Sequence, residues 1–208
     1  FGGWNLFEKT LHRTKGKIFE NPIISTNSKY LKQIKYFLKK VKIKEYTIIL
    51  EPAKKNTAPA ILSAALIKRI PNRQALMFFP ADHLIENTNK LNKALTKNKR
   101  HLNNQNIFVF GIKPTSPSKE YGYFLTKKNG NNINKVSKFI EKPSELRAKK
   151  IIKKKGYWNS GMFFARKDSI INNFKKYQPK IYKNCLKSVL KAKFKQNTYL
   201  LNKSYFLA

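Results

Sequence analysis

The chain has 208 residues, 41% of them apolar with 15 Phe and 10 Tyr, enough for one domain with a substantial core and too apolar for intrinsic disorder. No apolar run approaches the ~20 residues that span a bilayer, nothing resembles a signal peptide, and the lone Cys185 excludes a disulfide framework or a cysteine metal cluster. The net charge of +35 suggests nucleic-acid binding, but only six of the 45 basic residues are Arg and the lysines are spread along the whole chain. Lys, Asn and Ile are abundant together, as codon bias in an AT-rich genome would produce, so the charge reads as solvated surface. Neither nucleic acid nor membrane is an expected partner, and a soluble protein of the reducing cytoplasm is the natural reading.

In chain order, Phe1-Gly-Gly-Trp-Asn5 reads as a loop, so the chain is expected to be an internal fragment of a longer protein. Leu6–Thr14 predicts a helix, Pro22–Thr26 a short strand, and Asn27 a cap for a helix over Ser28–Lys40. Thr47–Leu50 is β-branched and apolar and predicts a buried strand; Ala58–Ile70 carries apolar residues at helical spacing. Gln74–Phe79, closed by Pro80, predicts a central parallel strand buried on both faces. A polar helix over Thr88–Leu102 and a strand over Ile107–Ile112 follow. Strands at Tyr123–Thr126 and Val136–Ile140 flank a turn at Asn129-Gly-Asn-Asn132. Glu145–Lys155 then predicts a basic helix, Trp158–Ala165 a strand, and Asp168 onward two helices. Alternating strands and helices with short connections predict an α/β fold of Rossmann-like type, a three-layer sandwich around a mixed, mainly parallel sheet. No Pro/Gly linker divides the chain, which reads as one domain over residues 1–208.

Ligands of such sheets bind beyond the carboxyl ends of the strands, and five segments draw attention. Glu51-Pro-Ala-Lys-Lys-Asn-Thr-Ala-Pro-Ala60 joins a strand to a helix. Asn56 and Thr57 there either present backbone N–H groups to a phosphate or base edge, or simply cap the helix. Asp82 follows the buried strand and Pro80; its carboxylate suits Mg²⁺ shared with substrate phosphates, and equally an N-cap for a segment starting at Leu84 or a salt bridge to a lysine. His83 reads as an orienting or packing residue. Glu141-Lys142-Pro143 ends a strand with an acceptor for a sugar hydroxyl and a cation for a phosphate, or with an exposed ion pair. Tyr121-Gly122-Tyr123 offers close approach beside aromatic rings, or an ordinary glycine bulge. Asn159 and Ser160, set among aromatic residues in Trp158–Phe163, need partners or a ligand.

Taken in order, EPAKKNTAPA, FPADH, FGIKPTSPSKEYGY, FIEKP and GYWNSGMF resemble the bacterial mannose-1-phosphate guanylyltransferase family, essentially end to end. The resemblance implies a nucleotidyltransferase fold and synthesis of GDP-mannose and pyrophosphate from GTP and mannose 1-phosphate, with Mg²⁺. It implies Asp82 as the metal-holding carboxylate and Glu51, Asn56, Thr57, Ala58 and Pro59 beside the guanine nucleotide. It likewise implies Gly122, Glu141 and Asn159 around the mannose and Lys142 on the sugar phosphate, with a homo-oligomer compatible. The family's GGxGxRLWPLSR loop, its PKQF segment and its SIDYAVMEK-like segment, whose Asp is a second metal ligand, are not in this chain, and Lys55 stands where the family usually has Arg. The 208 residues alone are therefore expected to have little or no activity. The alternatives are a nucleotidyltransferase using UTP or dTTP with glucose 1-phosphate, and a non-catalytic basic protein that binds nucleic acid.

Overall fold

The structure, a computed structural model, describes residues 3–128 and 133–208, so the expected turn at Asn129–Asn132 lies outside the described residues. In chain order its elements begin α1 (Leu6–Arg13), β1 (Ile23–Asn27), α2 (Leu31–Lys40), β2 (Thr47–Glu51), α3 (Thr57–Ala65), β3 (Ala75–Phe78), α4 (Thr88–Lys99) and β4 (Ile107–Ile112). They continue with β5 (Tyr123–Lys127), β6 (Lys135–Ile140), α5 (Glu145–Lys153), β7 (Tyr157–Arg166), α6 (Lys167–Tyr177), α7 (Pro179–Leu190), β8 (Lys193–Lys195), β9 (Thr198–Leu200) and α8 (Lys203–Leu207). Two compact units emerge, one from Phe1–Ile107 with Phe164–Ala208 and the other from Phe108–Phe163.

In the first unit β1, β2, β9 and β8 form a sheet in that order, parallel from β1 to β9 and antiparallel between β9 and β8. The side-chain alternation of β2 builds the three layers. Ile48 and Leu50 join Ile24 against Leu11 of α1 and Ile34 and Leu38 of α2, while Ile49 faces Ala64 of α3 and Phe206 of α8. Each such buried aliphatic side chain stabilises the fold by ~2 kcal/mol. Helix α1 starts on a capping box in which Asn5 and Glu8 each bond the other's backbone N–H. Glu8 is also buried and paired with Lys40 of α2 at 2.7 Å, which ties the two helices of that layer. Asn27 caps a single 3₁₀ turn over Ser28–Tyr30, and the α-helix proper begins only at Leu31. Cys185 is a small buried side chain packed with α3 and α6, as expected of a lone cysteine.

Two expectations are corrected here. Helix α3 stops at Ala65 rather than Ile70, because the buried Lys167 donates through Nζ to the carbonyls of Ile67 at 3.0 Å and Ile70 at 2.7 Å. Those carbonyls turn to a cation from a distant part of the chain instead of continuing the helix. Strand β3 is half-buried along its whole length rather than buried on both faces, since it stands at one end of its strand order; its Leu76 and Phe78 pack against a core cluster with Ala165. The short hairpin of β8 and β9, turning through Gln196 and Asn197 at positive φ, and the closing helix α8 complete the first unit.

In the second unit β5 pairs antiparallel with β6 on one side and with β7 on the other, matching Tyr123 to Ile140 and to Trp158. Helix α5, capped by Ser144, closes its core by packing Ala148 and Ile151 on Tyr123 and Ile140. Parallel pairing, expected of the sheet, joins β1, β2 and β9 of the first unit.

Candidate active site

The candidates divide between the units, and each unit assembles its own group. In the first, β2 carries Glu51 at its end, and Asn56 opens α3 without serving as its cap. Its side chain makes no capping hydrogen bond, and its backbone lies at φ 59°, ψ −165°, a region that costs a non-glycine residue about 1–3 kcal/mol. The capping expectation is therefore corrected, and the first-turn N–H groups of Thr57 and Ala58 are left without a side-chain acceptor from Asn56. Pro59 fits this first turn because the N–H it lacks would have had no helical partner. Lys55, exposed in the same loop, donates to the carbonyl of Leu207 at 2.8 Å and so fixes the loop to the end of α8.

Glu51 is half-buried and accepts a hydrogen bond from the Ser25 hydroxyl, while its carbonyl accepts from Asn27 Nδ2 at 3.2 Å. Burial pushes its carboxyl above the ordinary value of 4.5, an effect that the Ser25 hydrogen bond partly opposes. A carboxyl whose folded-state pKa is raised contributes stability that is complete below the unfolded pKa and is lost as pH rises through the folded one. Above that window the ionised Glu51 is a cost to the fold. Glu51→Gln, which keeps an acceptor for Ser25, is accordingly expected to raise stability at pH 7 by less than about 1 kcal/mol, since solvent screens a half-buried carboxylate, and the gain disappears below about pH 4. Urea unfolding at the two pH values measures it, and an equal gain at both would show that the charge is not the cause.

Asp82 lies beyond β3, exposed and free of any hydrogen bond or ion pair among the described residues. It is not an N-cap, since the next helix, α4, is capped by Asn87, whose side chain accepts from Lys90 N–H at 2.8 Å. No group of three or more His, Cys, Asp or Glu that could enclose a metal occurs among the described residues. A lone free carboxylate suits Mg²⁺ that completes its shell with water and substrate phosphates, and is too little for a metal site on its own.

The second unit brings Gly122, Glu141 and Asn159 together. The Asn159 N–H donates to the Gly122 carbonyl at 2.7 Å, and a Cβ placed on Gly122 would lie 2.8 Å from Glu141 Oε2 and 3.0 Å from Phe139 Cζ. Gly122 is therefore no bulge, and the register shift of this strand pair falls at Leu125/Thr126 instead. Its missing side chain is the space into which the Glu141 carboxylate fits. Asn159 Oδ1 accepts from Gly161 N–H at 3.3 Å, and Ser160 Oγ from Met162 N–H at 3.2 Å, so both polar groups find partners within the strand. Lys142 is exposed at φ 37° and makes no ion pair with Glu141, so the Glu-Lys dipeptide is not the surface pair it resembled. Tyr121 stacks at 5.0 Å on Trp158, giving this end of the strands an aromatic wall.

Two residues stood outside the sequence-derived set: Ser25, whose hydroxyl orients Glu51, and Arg13. Arg13 had one available signal, being one of only six arginines in a chain whose basic residues are mostly lysine.

The fold and the sequence can both be compared with known proteins. Residues 1–205 match the nucleotidyl transferase family, and the chain belongs to it. It is 34% identical over 193 residues to the mannose-1-phosphate guanylyltransferase RfbM of Salmonella typhimurium, covering 90% of this chain and 40% of that protein. It is also 33% identical over 190 residues to the alginate biosynthesis protein AlgA of Pseudomonas syringae, covering 89% of this chain and 39% of that protein. The chain thus spans about two fifths of the length of these curated relatives. A solved Helicobacter pylori structure described as mannose-6-phosphate isomerase superposes with a TM-score of 0.85 at 27% identity, over all of this chain and 80% of that one. A Thermus thermophilus structure described as mannose-1-phosphate geranyltransferase shares the fold, with a TM-score of 0.80 at 22% identity over all of this chain and 58% of that one. No helix among the described residues is long and apolar enough to cross a membrane.

Proposed function

We propose that this chain serves guanylyl transfer to mannose 1-phosphate as part of the intact protein. A phosphate oxygen of the sugar phosphate attacks the α-phosphorus of GTP, a new P–O bond forms, the bond to the β-phosphate oxygen breaks, and pyrophosphate leaves with GDP-mannose as product. The observation that carries this reading is the approach of Glu141 to Gly122 beside Asn159, a carboxylate preset at a strand end to accept hydroxyl hydrogens of a sugar. The names of the relatives at 31–34% identity support the choice of mannose.

On this reading Glu51 and the α3 start, with Asn56, Thr57, Ala58 and Pro59, hold the guanine nucleotide, and Lys142 meets the sugar phosphate. Asp82 would hold Mg²⁺ on the nucleotide phosphates; that ion supplies charge neutralisation when bound. The chain's own residues orient and neutralise rather than form a covalent intermediate. The single buried cysteine agrees with a cytoplasmic setting.

Pyrophosphate release by the intact protein tests the reading, with GTP and mannose 1-phosphate compared against UTP or dTTP with glucose 1-phosphate. The first pair is expected to react fastest. Faster release with either of the others would reassign the substrates, and release with none would remove the activity.

A further inference from the structure

Arg13 lies on α1 with only 5% of its surface exposed, and no acidic side chain pairs with it among the described residues. A guanidinium is costly to bury unless its donors and its flat face are used. Here Nη1 donates to Thr10 Oγ1 at 3.4 Å, Nη2 donates to the carbonyl of His83 at 3.3 Å, and the guanidinium carbon stands 5.5 Å from the centre of the Phe79 ring. Phe79 is held from a second direction by Phe19, whose ring centre is 5.8 Å away and packed edge-on. Both ends of the five-residue segment Phe79–His83 are thus gripped by one buried cation. Between them lie only Pro80, whose φ is fixed, Ala81 and the exposed Asp82.

We propose that Arg13 is a positioning residue that fixes the Phe79–His83 segment and thereby presents the Asp82 carboxylate to a divalent cation carried on nucleotide phosphates. This rests on the role given above to Asp82. An arginine does this work where lysine would not, because a planar fork can stack on a ring and donate sideways at once, whereas an ammonium makes a single point contact. Burial pulls the guanidinium's pKa below its ordinary value, consistent with a cation that lacks an acidic partner.

The test uses the intact protein as wild type, Arg13→Met and Arg13→Lys, each also with Asp82→Asn. Backbone NMR order parameters at Ala81–Leu84 read the grip without reference to any reaction. Arg13→Met is expected to lower them from about 0.85 towards about 0.6, with those of α2 unchanged and Arg13→Lys intermediate. Unchanged order parameters at 81–84 overturn the proposal whatever else is found. The second measurement is Mn²⁺ affinity at saturating GTP, expected to weaken about tenfold in Arg13→Met, with no further loss when Asp82→Asn is already present. Additive losses would overturn the link to Asp82 and leave Arg13 a packing residue. If the wild type binds no Mn²⁺ with GTP, the nucleotidyl-transfer reading fails instead, and the order parameters still decide whether Arg13 holds the segment. Should Arg13→Met not fold, the same two measurements on Arg13→Lys decide the matter.

Discussion

Asp82→Asn is expected to lower turnover of the intact protein by about 10³-fold while leaving its melting temperature within a few degrees of wild type. The expected size follows from chemistry: an amide keeps an oxygen but loses the charge that a hard cation needs, and several kcal/mol of charge neutralisation in the transition state go with it. The expected tolerance of the fold follows from geometry, because the Asp82 side chain is exposed and contributes no hydrogen bond, cap or ion pair. Paired measurements of pyrophosphate release and thermal unfolding separate the two statements. Turnover within tenfold of wild type would remove Asp82 from the metal role.

Gly122→Ala is the second large effect, expected to raise the KM for mannose 1-phosphate about 100-fold with a stability change of less than ~1 kcal/mol. The added methyl would meet Glu141 Oε2 at 2.8 Å and Phe139 Cζ at 3.0 Å, both far ends of exposed side chains that can swing into solvent. The fold gives way cheaply at those two side chains. The carboxylate cannot, since a displacement of about an ångström is enough to lose a hydroxyl it is placed to receive. A strongly destabilised variant, or one with an unaltered KM, would mean that Gly122 serves packing and not the sugar side.

Local chemistry was readable in the sequence, and long-range chemistry was not. The run Thr47–Leu50 has an apolar, β-branched pattern that only a buried strand satisfies, and it occupies the middle of the parallel sheet. Gly122, Glu141 and Asn159 drew notice singly, as a glycine, a strand-ending acid and a polar residue among aromatics, and only the resemblance grouped them; the structure places them side by side. What escaped was set by partners far along the chain. Helix α3 ends early because Lys167, 97 residues beyond Ile70, claims its carbonyls. Asn56 has the composition of a cap and a backbone that prevents capping, a fact of φ and ψ that no residue type announces. Residues Lys193–Lys195 and Thr198–Leu200 alternate as strands do, but three residues each are too few for periodicity to register. The burial of Gln74–Phe79 was overestimated because an apolar run states what a strand tolerates, while its neighbours decide what it receives.

The pairing of Ile48 with Thr198 and of Leu50 with Leu200 has a consequence for the order of events during synthesis. The first unit's sheet cannot close until β9 has left the ribosome, whereas every partner of β5 lies within Phe108–Phe163. Contacts of short sequence separation form early and those across 150 residues form late. The carboxylate, glycine and asparagine of the second unit are therefore in place while the strand that carries Glu51 still has an open edge. Folding completes the second unit's group of residues first and the first unit's group last.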